Sequence, residues 1–289
     1  YFKSGGTWSD VGTKGFGVKF YPQGFLFDAK GPVCVGDQIE ILISGLNSAP
    51  FTYISELLMP TISYKCGTVK TIPFPKLINP SLVEEIGKNA IFISHVDWDS
   101  FEISWDFQSF SWLNLPLKAS SVGDSWQNWE VQCTHQIKRM QKLETENNRI
   151  FIEAYGLQDQ LTPEVPEEQI TLTRADRAAD MKRLISYAIG CMMGRYSLDQ
   201  PGLVYANSGN VGFDHVKYKS LPADDDGIIP VMDMDWFLDD AAIRFEEFLK
   251  VAWSPDTLEE NLTFVADSLS PKTGETARDT IRRYVSTQF

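Results

Sequence analysis

A stripe of mostly apolar residues between Ser125 and Tyr155 constrains the fold more than any other feature of the sequence. Its members recur at alternating steps of three and four residues, which is the spacing of one face of an α-helix. Gly156 follows directly, where a helix commonly ends on a left-handed residue. A helix of about 30 residues spans roughly 45 Å, enough to connect two domains, although a long helix within an α-helical domain is the more ordinary explanation. The stripe comprises Trp126, Trp129, Cys133, Ile137, Met140, Leu143, Asn147, Ile150, Phe151 and Ala154.

The part of the chain before this helix mixes strand-like and helical patterns. Within residues 1–35, which are rich in glycine and aromatic residues, the runs 16–21 and 25–27 predict a small β element with a turn between them. Apolar spacing over residues 37–58 predicts two helices, whereas residues 61–74 resemble a strand. Asn79 and Pro80 have the residue types of an N-cap and a first helical turn.

The part after the long helix is predominantly helical in pattern. An extended acidic connector, residues 162–168, contains two prolines and is followed by a helix opened by Thr173 and Asp176. Further amphipathic helices are predicted over residues 235–251, 254–269 and 275–289. The sequence therefore predicts an α+β fold, with a mixed α/β domain over residues 1–115, a long connecting helix within 116–160 and a mostly α-helical domain over 161–289.

Six large aromatic residues crowd into the 15 positions from 98 to 112. Such density favours a packed core or a junction between two units over an exposed loop. A carbohydrate-binding surface is a weaker interpretation of the eight tryptophans, because most of them lie at core-like helical spacing. The cluster consists of Trp98, Phe101, Trp105, Phe107, Phe110 and Trp112.

Charge is distributed unevenly along the chain. The 289 residues carry a formal charge of −13, which by itself disfavours binding to a polyanion. Residues 1–80, however, hold seven lysines and five acidic residues, or +2, while the remainder holds 19 basic and 34 acidic residues, or −15. One end of the chain is thus compatible with nucleic acid and the other is not.

Composition also excludes several classes of protein. No apolar run approaches the roughly 18 residues of a membrane-spanning helix, and no secretory signal is present. The four cysteines form no Cys-x-x-Cys pair and there are only three histidines, so we predict a cytoplasmic protein without a metal site.

Short catalytic motifs are incomplete. Gly15-Phe16-Gly17 lacks the strand and the third glycine of a dinucleotide loop, and Asn79-Pro80-Ser81-Leu82 lacks the second proline and the aromatic residue of the Asn-Pro-Pro-aromatic motif in amino-methylating enzymes. The aspartates at 224–226, 233 and 235 do not have EF-hand spacing and favour an acidic turn followed by an N-cap. We predict no catalytic and no cofactor-binding residue in the chain.

The N-terminal surface offers the remaining candidate site. Lysine ammonium groups position phosphates, and hydroxyl groups next to aromatic faces can read base edges. A mildly basic strand face that is only solvated is the alternative. The candidates are Lys14, Lys19, Lys65 and Lys70 for phosphate contacts, and Ser9, Thr13 and Tyr64 for groove contacts.

Longer strings of residues resemble a known family. The N-terminal strings are Thr7–Ser9, Tyr21–Asp28, Gly31-Pro32, Leu42–Asn47, Pro60–Tyr64 and Gly67–Pro73. The later strings are Asp97–Glu102, Ser104–Phe107, Asn148–Asp159, Leu161–Glu168, Leu184–Ala206 and Asp225–Pro230. The N-terminal strings resemble the target recognition region of large adenine-specific DNA methyltransferases, and the later strings resemble the PglX-type methyltransferases of BREX phage-defence systems.

The resemblance implies that the chain is a fragment that selects a site on double-stranded DNA. Family members carry their S-adenosylmethionine loop and Asn-Pro-Pro-Tyr motif in a preceding catalytic domain, and neither motif occurs here. Residues 1–115 would then recognise DNA, so that the missing catalytic domain methylates the N6 amine of adenine. The alternative is a protein-interaction scaffold for other BREX proteins, with no direct DNA contact.

Overall fold

A computed structural model of the chain describes residues 2–13 and 15–289. This part contains three strands and nine α-helices, besides five short 3-10 helices. The strands are β1 (Gly5–Thr7), β2 (Lys19–Tyr21) and β3 (Val33–Cys34). The helices are α1 (Ile39–Leu46), α2 (Ala49–Leu58), α3 (Cys66–Val69), α4 (Pro80–Asp99), α5 (Val122–Tyr155), α6 (Arg177–Met192), α7 (Ala241–Ala252), α8 (Leu258–Ser268) and α9 (Ala277–Thr287). The predicted α+β fold with a helical C-terminal region is confirmed.

The small sheet is antiparallel in the order β2-β1-β3. Its central strand contains two glycines because its neighbours approach closely: a Cβ atom at Gly5 would lie 2.1 Å from the carbonyl oxygen of Cys34. Residues 25–27, predicted as a strand, lie outside the sheet. The strand predicted over residues 61–74 is also wrong, since this segment forms only an isolated bridge between Val11 and Ser63 and the short α3.

The chain divides into two compact units that are discontinuous in sequence. Unit 1 comprises residues 1–95 and 136–172, and unit 2 comprises residues 96–135 and 173–289. Two of the boundaries fall within α4 and α5, and the third lies between residues 172 and 173, ahead of α6. The predicted division into a recognition domain (1–115), a long connecting helix (116–160) and a mostly helical domain (161–289) assigns a role to each range, and it stays a prediction.

Helix α5 confirms the long helical stripe. It runs over 34 residues and ends at Gly156, whose φ of 69° is the left-handed conformation expected of a terminating glycine. Trp129 and Cys133 lie in the core of unit 2, while Ile137, Met140 and Phe151 lie in cores of unit 1. Six of the ten stripe residues are buried and the other four are half-buried, as their spacing indicates.

Side-chain caps fix several helix starts. Asn79 accepts a hydrogen bond from the amide of Leu82 at the beginning of α4, as predicted. Asp176 caps α6, with Thr173 outside the cap, and Asp240 caps α7, so the predicted helical segment 235–240 is a loop. No helix in the described part of the chain is both long and apolar enough to cross a bilayer.

Candidate nucleic-acid interface

The segment that follows β1 in unit 1 is hydrogen-bonded to two other segments, one at residue 30 and one at residues 62–64. The amide of Asp10 donates to the carbonyl of Lys30 at 2.9 Å, and the amide of Tyr64 donates to the carbonyl of Asp10 at 2.8 Å. The amide of Gly12 donates to the carbonyl of Ile62 at 2.9 Å. These backbone bonds bring residues 10, 30 and 65 together although they are far apart in the sequence.

The side chain of Asp10 is the electrostatic centre of this arrangement. Only 3% of Asp10 is exposed, and its Oδ2 lies 2.6 Å from Lys65 Nζ and 3.6 Å from Lys30 Nζ. The hydrogen bond from Lys65 lowers the pKa of the Asp10 carboxyl group below its ordinary value, and the charge of Lys30 acts in the same direction. We call these three residues the Asp10 cluster; it holds two exposed ammonium groups against one buried carboxylate and has a net charge of +1.

Aromatic rings of the unit 1 core pack next to the same segment. The Trp8 indole Nε1 donates to the carbonyl of Tyr64 at 2.9 Å. The Phe16 ring contacts the rings of Trp8, Phe51 and Tyr64, with centroids 5.3–5.7 Å apart. Tyr64 is 7% exposed, so the structure places this predicted groove contact in the core of unit 1.

The other predicted contacts are exposed but are not joined to the Asp10 cluster. Ser9 and Thr13 are exposed at either side of Asp10, and Lys19 faces Thr7 across the β1–β2 ladder. Lys70 directly follows α3. Among the described residues, no side-chain hydrogen bond or ion pair joins these four to Lys30, Asp10 or Lys65. Lys14 lies outside the described residues.

Sequence reasoning missed Lys30 and Asp10 as members of the site. A signal for Lys30 was available, because Asp28 and Gly31 have the residue types of a turn, and Asp28 Oδ1 accepts the amides of Lys30 and Gly31. For Asp10 there was none, since its partners lie 20 and 55 residues away and no local pattern marks a buried acid.

The charge of the two units differs strongly. Unit 1 contains 12 Lys and Arg against 14 Asp and Glu, or −2, while unit 2 contains 14 against 25, or −11. The excess of lysine over residues 1–80 therefore does not extend to unit 1 as a whole. Phosphate binding depends on such local charge, because screening limits exposed charges to a range of about 8 Å at physiological salt.

Neither incomplete cofactor motif fits S-adenosylmethionine. The Asn79 side chain is occupied as the cap of α4, and Phe16 between Gly15 and Gly17 packs into the aromatic core. The residues of these two segments therefore do not form a methyl-donor site.

Comparison with known proteins gives two full-length matches to this chain. It is 37% identical over 318 residues to the adenine-specific methyltransferase BrxX of Escherichia coli O9:H4 (strain HS). It is 37% identical over 296 residues to the adenine-specific methyltransferase PglX of Lacticaseibacillus casei (strain Zhang). In each case the alignment covers 100% of this chain but only 26% and 24% of the relative, respectively.

No protein-family model matches the chain. The two relatives nevertheless match over every part of it, including the N-terminal strings and the helical C-terminal region. The similarity to PglX-type adenine-specific methyltransferases that the sequence indicates is therefore confirmed, for a chain that spans about a quarter of the length of these relatives.

Proposed function

We propose that this chain is the DNA target recognition part of an S-adenosylmethionine-dependent adenine-N6 DNA methyltransferase of a BREX-type defence system. The observation that carries the proposal is the alignment of the whole chain with two adenine-specific methyltransferases. The sequence resemblance of residues 7–73 to a target recognition region supports the same role. A cytoplasmic location follows from that role, since the DNA substrate is there.

In this proposal residues 1–115 contact double-stranded DNA. Lys14, Lys19, Lys65 and Lys70 neutralise phosphates, and Lys30 joins them because it shares Asp10 with Lys65. Ser9 and Thr13 are the exposed hydroxyl groups available to the groove, while Tyr64 shapes the surface from below. Residues 116–160 connect this domain to the acidic domain 161–289.

Catalysis belongs to the rest of the parent enzyme. A methyltransferase that modifies the exocyclic amine of adenine must first extrude the base from the duplex. This chain would hold the duplex in register while the catalytic domain, with its bound S-adenosylmethionine, carries out the transfer. The isolated chain is accordingly expected to methylate nothing.

Salt-dependent binding of duplex DNA tests the proposal. The logarithm of the binding constant falls with the logarithm of salt concentration by about 0.9 for each neutralised phosphate. We expect the variant with alanine at Lys14, Lys19, Lys65 and Lys70 to lose affinity and to show a flatter slope, both in this chain and in the parent enzyme. A control variant with alanine at Lys138, Lys142, Lys217 and Lys219 removes the same charge from exposed positions elsewhere. Equal slopes for the two variants would refute the assignment of DNA contact to the N-terminal surface.

A further inference from the structure

The segment 224–240 of unit 2, here called the acidic loop, combines strong negative charge with large apolar side chains. It contains seven aspartates and neither lysine nor arginine. Its apolar members include Trp236, Phe237 and Leu238, which are consecutive in the sequence. The loop precedes α7 and connects it to the preceding part of the chain. Because connecting segments run over the protein surface, polar residues are expected there and consecutive large apolar residues are not.

The three consecutive apolar side chains project into solvent. Trp236 is 64% exposed, Phe237 is 50% exposed and Leu238 is 89% exposed. Single exposed apolar residues are ordinary on protein surfaces, but a contiguous group of this size marks an interaction site. We call these three residues the apolar tip.

The acidic loop is anchored at its base. The Arg282 guanidinium from α9 forms ion pairs with Asp235 and Asp240, the latter at 2.9 Å, and donates to the carbonyls of Met232 and Met234 at 3.2 and 3.3 Å. Asp240 is 1% exposed and its Oδ2 also accepts the amide of Met232 at 3.2 Å.

Backbone hydrogen bonds complete the anchor. The amide of Trp236 donates to Met234, that of Asp240 to Phe237, and that of Ala241 to Pro230, over 2.9–3.3 Å. Hydrogen bonds and ion pairs therefore hold the backbone of the acidic loop in place, and the tip side chains do not have to be buried for this. An apolar surface whose backbone is already ordered loses less conformational entropy on binding.

We propose that the apolar tip and the exposed aspartates of the acidic loop form a docking surface for a protein that presents an apolar pocket bordered by Lys and Arg side chains. Trp and other large apolar residues dominate the binding energy of such interfaces when they fill a pocket. Asp226 and Asp233 are exposed in the acidic loop and Asp239 directly follows the tip, and none of the described ion pairs involves these three carboxylates. Cationic groups on the partner therefore complement the loop and increase the rate of association.

Charge disfavours the other candidate occupants. Nucleic acid and an anionic membrane surface repel a loop that carries seven aspartates. A second copy of unit 2 would bring together two bodies of charge −11. The inference is independent of the proposed DNA recognition, whose proposed phosphate and groove contacts all belong to unit 1.

A synthetic amphipathic peptide with a leucine face and a lysine face serves as the probe. Its binding to the 289-residue chain is measured by titration calorimetry and by the fluorine NMR signal of 5-fluorotryptophan at position 236, assigned with Trp236→Phe. We expect saturable binding that moves this signal, together with much weaker binding of two control peptides, one with glutamine for lysine and one with serine for leucine.

Three variants locate the binding surface. The triple variant Trp236→Ala, Phe237→Ser and Leu238→Ser is expected to weaken binding at least tenfold. Trp105→Ala, which alters a residue that is 89% exposed elsewhere in unit 2, should leave the dissociation constant within twofold. The variant with asparagine at Asp226, Asp233 and Asp239 should bind several-fold more weakly and with a smaller salt dependence.

The proposal is overturned by any of three results. Binding of the peptide to the tip variant as tightly as to the unaltered chain would show that the tip is not the site. Tip-dependent self-association in sedimentation velocity would assign the surface to a second copy. Tip-dependent binding of duplex DNA would assign it to nucleic acid. Since the tip side chains are exposed, the variants should retain the circular dichroism spectrum and melting temperature of the unaltered chain, so lost binding is not lost folding.

Discussion

Glu144→Gln should stabilise the chain at pH 8 and leave its stability unchanged at pH 4. Glu144 lies in the part of α5 that belongs to unit 1. Burial raises the pKa of its carboxyl group to about 7 from an ordinary value of 4.5. A protonated glutamic acid and a glutamine have nearly the same shape, so the substitution removes the ionisation and little else.

The magnitude follows from the two pKa values. The unfolded chain releases the Glu144 proton near pH 4.5 and the folded chain releases it near pH 7. Between these values the unfolded state holds fewer protons, and the free energy of unfolding falls as the pH rises; above about pH 7 it levels off. One pH unit corresponds to about 1.4 kcal/mol, which gives an upper figure of about 3 kcal/mol. Solvent around the partly exposed side chain reduces this to about 2 kcal/mol.

Urea unfolding followed by circular dichroism at pH 4, 6 and 8 measures this difference. The stability gained by Glu144→Gln should be near zero at pH 4 and reach about 2 kcal/mol at pH 8. Glu153→Gln, on the exposed side of the same helix, serves as the control and should show no such growth with pH. A constant difference between Glu144→Gln and the unaltered chain across this range would refute the reasoning.

Two further substitutions test buried carboxylates. Asp180 is fully buried, accepts the Trp126 indole N–H at 2.8 Å and pairs with Arg183, so Asp180→Ala should cost about 3–5 kcal/mol in urea unfolding and Asp180→Asn less. Asp10→Asn leaves the ammonium group of Lys65 uncompensated, so DNA binding should become more salt-dependent, by up to about 0.9 in slope. Because the Asp10 pKa is lowered in the folded state, its contribution to stability is present at neutral pH and lost as the pH falls through that lowered value, which acid titration of Asp10→Asn against the unaltered chain measures.

Local periodicity made the helices predictable. Helix α5 repeats its apolar spacing over about eight turns and ends at a glycine, so its pattern and its terminator agree. Pro80 with Asn79 marked the start of α4 for a similar reason, because both the fixed φ of proline and the side-chain cap act within one turn.

Long-range contacts account for the errors. Residues 61–74 resemble a strand in sequence, yet Tyr64, Val69 and Ile72 enter the unit 1 core from the four-residue α3 and the irregular segments on either side of it. The start of α7 was placed too early because several aspartates can serve as an N-cap, and the structure uses Asp240 together with Arg282 from 42 residues further along. The local sequence does not indicate which of these aspartates becomes the N-cap.

The Asp10 cluster shows the same limit for function. Counting lysines over residues 1–80 identifies a basic end, but it treats Lys65 as a free cation equal to Lys70. In the structure Lys65 shares a buried carboxylate with Lys30, so part of its charge is already compensated. Which lysines are available to phosphates is therefore decided by contacts across 20 and 55 residues, beyond the reach of any local pattern.

Net charge misleads for a chain with two surfaces that are proposed to bind partners of opposite charge. Exposed charges interact over about 8 Å at physiological salt. The net charge of −13 for the whole chain therefore does not describe the electrostatic potential at either surface. Salt should weaken both DNA binding at the Asp10 cluster and cationic peptide binding at the acidic loop, and salt dependence alone cannot distinguish the two. Substitution distinguishes them: loss of Lys65 should affect only DNA, and loss of the apolar tip should affect only the peptide. If either substitution altered both binding reactions, the assignment of one partner to each unit would be wrong.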